Sequence, residues 1–162
     1  MKSFGTRKIL QKRYARATLA TMLAIGGALA IVSFAVGHSG RHGPPPPTGD
    51  KLTALRAVAA RVAGLNGDPH PSKAIAVPST RKTAELVESG ADVNTDQDVY
   101  LIVLHGHFVG HVAHVPPGAP LPRGSVLTIV VDANTDLVTD WGISDQTPNT
   151  SALGPETSLG SF

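Results

Sequence analysis

The sequence predicts an α+β chain: a single N-terminal transmembrane helix, then one helix packed on a three- to four-stranded antiparallel sheet. Three observations carry this prediction. Residues 17–37 are uncharged and apolar over a length that can cross a bilayer. Residues 50–64 place apolar side chains at helical spacing. Beyond Val99, apolar runs alternate with clusters of turn formers, the pattern of antiparallel strands.

The basic N-terminus, residues 1–16, sets the orientation. Its six charges are all positive (Lys2, Arg7, Lys8, Lys12, Arg13, Arg16), the next charged residue is Arg41, and all twelve Asp and Glu lie beyond that. Residues 38–162 hold eight Lys and Arg against those twelve acids, a formal charge of −4. The overall pI near 9.2 therefore belongs to the N-terminal flank and does not point to nucleic-acid binding.

The span itself reads ATLATMLAIGGALAIVSFAVG and would be about 30 Å long as a helix, the thickness of a hydrocarbon core. Its strongly apolar residues (Leu19, Leu23, Ile25, Leu29, Ile31, Val32, Phe34, Val36) favour insertion by roughly 4 kcal/mol in total. The positive-inside rule keeps the N-terminus in the cytoplasm and sends the chain after about residue 38 across the plasma membrane, a signal-anchor topology. Small-x-small sites at Ser33-Phe34-Ala35 and Ala35-Val36-Gly37 leave an alternative, secretion after signal cleavage. The apolar stretch exceeds the roughly 7–15 residues of a signal h-region, which favours retention. The chain has no cysteine, so disulfides, lipoprotein attachment, thiolate metal sites and cysteine nucleophiles are all excluded.

Residues 38–49, HSGRHGPPPPTG, form a Pro-rich linker whose four prolines favour polyproline II, a stiff spacer away from the membrane. The extracytoplasmic domain is expected over residues 50–144. It opens with the helix DKLTALRAVAARVAG, residues 50–64, in which Leu52, Leu55, Ala59 and Val62 form one stripe and Arg56 and Arg61 fall outside it. Asn66 to Pro71 is dense in turn formers and reads as a loop. Lys73 to Val77 reads as a strand. Ser79 to Ser89 fits either a short helix capped by Thr80 or an extension of that strand turning at Ser89-Gly90, and the strand is the preferred reading.

VYLIVLHGHFVG, residues 99–110, is the strongest strand. Tyr100, Ile102, Leu104 and Phe108 share one face; Val99, Leu101, Val103, His105 and His107 share the other. Both faces are apolar over its first half, which makes it a central strand. SVLTIVVDA, residues 125–133, follows, and Asn134-Thr135-Asp136 turns it into LVTDWGIS, residues 137–144. Trp141, the single tryptophan, reads as a core residue rather than a ligand platform. Residues 145–162 are rich in Ser, Thr, Pro and Gly and read as a disordered tail.

This order, with Tyr100 in its strand, Gly106 beside Phe108, Pro116-Pro117-Gly118, and the valine-rich run ending in Asp132-Ala133, resembles small uncharacterised membrane-anchored proteins of actinobacteria. More distantly it resembles PepSY and cystatin-like arrangements, over roughly residues 50–144. Where PepSY-like domains commonly carry a glycine in the last turn this chain has Asp136, which tolerates left-handed geometry. The resemblance implies binding or inhibition of envelope peptidases and no catalytic residue.

Two clusters invite a chemical reading. His105, His107, His111 and His114 place four of the seven histidines within ten residues, and on a regular strand His105 and His107 would point to one face about 7 Å apart, close enough to share a zinc ion. A strand end facing solvent, with His111 and His114 in a mobile loop, is the preferred reading. Asp132 to Asp136 imitates the start of a calcium loop, but Leu137 and Ile143 stand where the EF-hand glycine and glutamate belong, so an ordinary turn with side chains bonded to the backbone is expected. No GxSxG, SxxK, GxGxxG or phosphate-loop pattern is present.

These features predict a noncatalytic protein- or peptide-binding domain and not an enzyme. One helix cannot cover both faces of strand 99–104, so Leu101 and Val103 become the candidate partner-binding face. The alternative is a zinc-binding envelope domain using His105, His107, His111 and His114; a small secreted enzyme is the third reading. The expected partners are the lipid bilayer, through residues 17–37, and an envelope protein or peptide, with no nucleic acid.

Overall fold

The computed structural model describes residues 43–162. The basic N-terminus, the span 17–37 and linker residues 38–42 lie outside the described residues. Among the described residues, no helix is long and apolar enough to cross a membrane.

Two helices pack on a five-stranded antiparallel sheet. In chain order the elements are α1 (Gly49–Leu65), β1 (Lys73–Thr80), α2 (Arg81–Ser89), β2 (Asp98–Val109), β3 (Arg123–Asp132), β4 (Val138–Ser144) and β5 (Thr157–Ser158), with a 3-10 turn at Thr150–Ala152. The strand order is β4-β3-β2-β1-β5, so β2 is central as its two apolar faces require. On one face, Leu55, Val58, Ala59, Val62 and Ala63 of α1 meet Tyr100, Ile102, Leu104 and Phe108 of β2 and Leu127, Ile129 and Val131 of β3. Each large side chain buried there contributes about 1.5–3 kcal/mol. Trp141 packs half-buried at the margin of this core.

The other face corrects the expectation of a single helix. Residues 81–89 are helical: Thr80 caps the turn through Oγ1, which accepts from Thr83 N at 3.4 Å, and Gly90 closes it in a left-handed C-cap. Burial separates helix from strand here. Ala84 and Glu85 are the residues that turn inward, one residue of apolar surface and one carboxylate, too little for the alternating pattern of a strand. Ala84, with Val87 at the margin, packs on Ile75, Val77, Val99, Leu101, Val103, Val126 and Val130. Leu101 and Val103 are therefore fully buried at 0 % exposure, and the uncovered partner-binding face assigned to them from the sequence is core.

Two segments expected to stand apart from the sheet pack on it. The Tyr100 hydroxyl donates to the Pro45 carbonyl at 2.8 Å, Pro47 is buried, and Gly43 lies against the Ser79 backbone, so residues 43–47 are docked rather than extended as a spacer. Residues 145–162, read as a disordered tail, contribute β5 and bury Leu159 at 1 % exposure. The Asp132 turn matches its reading: Asp132 Oδ1 accepts from Asn134 N at 2.8 Å and Thr135 N at 2.9 Å, and Asp136 adopts a φ of 58°.

Candidate functional site

The strand that carries the histidine cluster is irregular. Between His105 and Phe108 the ladder with β3 shifts register, so Gly106 and His107 bulge out of β2. Asp68, in the loop after α1, fills the space beside Gly106. A Cβ on Gly106 would lie 2.2 Å from Asp68 Oδ2, so only glycine lets the carboxylate reach His107 N, which donates to it at 2.8 Å. Asp68 Oδ1 accepts from His70 N at 3.1 Å. Asn66 reinforces the clamp, its carbonyl accepting from Val109 N at 2.8 Å.

His105 precedes the bulge, half-buried, with its Nε2 buried and unpartnered. His107 is exposed within the bulge, His111 lies exposed beside Gly67, and His114 sits exposed in the following loop. The bulge leaves His105 half-buried and His107 exposed, and both line one cleft. Among the described residues, no group of three or more His, Cys, Asp or Glu stands close enough to hold a metal ion.

A shallow cleft of about 310 Å³ opens here, lined by Asp68, His70, Ser72, His105 and Ser125 among others. Two of its polar side chains, Asp68 and Ser72, are engaged in structural bonds. Asp68 is spent on two backbone donors, and the Ser72 hydroxyl donates to the His105 carbonyl at 3.0 Å rather than to an imidazole. Among the described residues, no serine hydroxyl is bonded to a histidine ring as a serine nucleophile requires.

The second arrangement is the outer edge of β1. Thr157 and Ser158 pair antiparallel with Ala76 and Ile75. Leu159 N donates to the Ala74 carbonyl at 2.9 Å, and Gly154 N donates to the Pro78 carbonyl at 3.0 Å. Pro78 has no N–H to offer along this edge, which blunts it against indiscriminate pairing. Leu159 drops into the α1-side core, and Gly160, at a φ of 73°, turns the chain onto the helix. There Arg56 donates to the Ser161 carbonyl at 3.1 Å, and His70 Nδ1 lies 2.8 Å from the Phe162 carbonyl. Phe162 packs at the core margin.

The other edge is blunted from within. Asp140 Oδ1 accepts the Trp141 N–H at 2.8 Å, using a donor of β4 inside its own strand.

The residues that hold segment 154–162 were missed in the sequence. The available signal was the placement of Leu153, Leu159 and Phe162 as isolated large apolar side chains in an otherwise polar stretch. Compared with known proteins, the chain matches no family model, no curated protein and no solved structure.

Proposed function

We propose that this chain is a noncatalytic protein- or peptide-binding domain, tethered to the plasma membrane by residues 17–37 with its folded part outside the cell. One observation carries the binding reading: along the β1 edge the sheet already holds an extended segment by strand addition, through backbone pairing and a single buried leucine. Strand addition onto a sheet edge is a general mode of peptide capture, with affinity from main-chain bonds and selectivity from side-chain pockets. The resemblance to PepSY and cystatin-like arrangements supports the same class of function. The tether reading rests on the uncharged span and its basic flank.

The test is to pan a random-peptide library against the full chain in lipid nanodiscs. Recurrent selection of a sequence consensus that binds saturably is expected. Selection of no consensus from a folded, correctly inserted protein contradicts the reading.

A further inference from the structure

The contacts that hold residues 154–162 divide into two kinds. The Ala74 and Pro78 carbonyls, which accept, and the Arg56 and His70 side chains all engage main-chain atoms of the segment, which any extended peptide possesses. Only the Leu159 and Phe162 side chains enter or flank the core. The recognised pattern is therefore an aliphatic anchor, a residue free to turn left-handed, and an aromatic three positions after the anchor. The ladder is short, two paired residues, and the Arg56 and His70 contacts are solvent-exposed. By contrast β1, β2 and β3 are paired along most of their length. The segment is joined to β4 through exposed residues 144–147, and short, exposed pairing of this kind is where local opening concentrates.

We propose that the groove between the β1 edge and α1 is the docking site for an extended peptide of a partner protein carrying this anchor and aromatic pattern. Residues 154–162 are the intramolecular competitor for that site. The proposal rests on the peptide-binding reading above and names its location. A segment tethered by a short linker competes at an effective concentration on the order of millimolar, so a partner of ordinary affinity gains access only when the segment is displaced or outcompeted.

The experiment uses the full chain in nanodiscs with a protease recognition sequence inserted between Gln146 and Thr147, both exposed. The probe is a fluorescent synthetic peptide of residues 154–162. After cleavage, the probe is expected to exchange with the cut segment and bind saturably, while uncut protein binds it roughly a hundredfold more weakly. The probe carrying Leu159→Ala should bind the cut protein at least tenfold more weakly, as loss of a buried leucine demands. Failure of the probe to exchange in a folded cut protein overturns the proposal, and so does loss of the cooperative thermal transition on cutting. Either result makes the segment a fixed part of the core. Library-selected peptides applied to the same two proteins separate the two claims. If they bind cut and uncut protein equally while the probe never exchanges, the groove is not the site and the binding reading stands. If no peptide binds either form, both fall.

Discussion

Asp132 and Asp68 show how single carboxylates organise this fold. The Asp132 carboxyl is held below its usual range, first by the Thr135 backbone N–H and then by Asn134 N–H and the Gln97 amide, against the opposing effect of burial. A depressed carboxyl contributes stability above its unfolded-state titration range and loses it as pH falls through the folded value. Asp132→Ala leaves two turn amides without their acceptor and should cost about 2 kcal/mol in chemical denaturation. Asp132→Asn keeps the Oδ1 acceptor and should cost less. This turn was legible in the sequence because Asp and Asn bond their own backbone locally. The bulge at Gly106 and His107 was not, because it depends on Asp68, distant in sequence, coming to rest against Gly106. Among the described residues no three ligands stand together, so titration of the folded chain with zinc is expected to give no saturable heat at micromolar concentration; a saturable site with a raised melting temperature would contradict this.

At the scale of elements, α2 decides most. Helix and strand were indistinguishable over residues 79–89 because the stretch is short and carries few apolar residues. Its effect is nevertheless large, since it turns the second face of β2 into core. Leu101→Asp should therefore unfold the domain, costing on the order of 4 kcal/mol or more, with loss of the cooperative transition in circular dichroism. A folded Leu101→Asp protein would mean that this face is open. Buried Glu85 adds a pH dependence. Burial, followed by the charge of Asp140, holds its carboxyl above the usual range, and Arg81 at 3.3 Å only partly offsets this. The native state therefore keeps this proton more tightly than the unfolded chain, and stability is lost as pH rises from the ordinary glutamate range through the raised value. Glu85→Gln should melt progressively higher than wild type as pH rises above the ordinary glutamate range, with the curves converging in acid. Equal pH profiles for the two proteins would remove Glu85 as the cause.

For the whole molecule, the α+β class, the central strand and the α1 helix were readable because their apolar periodicity is local. The fifth strand and the docked prolines were not. Both depend on small or polar residues meeting an edge or a tyrosine that only the assembled sheet presents, and composition alone labels such segments as tail and spacer. The sheet is covered on both faces, with one edge blunted by its own aspartate and the other occupied by a two-residue strand; the proposal requires that this strand open independently. Native-state hydrogen exchange on the full chain tests that last property most directly. The Leu159 amide, bonded to the Ala74 carbonyl, should exchange roughly a hundredfold or more faster than the central amides of Ile102 and Ile129, with little dependence on denaturant, as local opening requires. Exchange of Leu159 at the same rate as those core amides, rising with denaturant in parallel, would show that the segment leaves only when the whole domain unfolds.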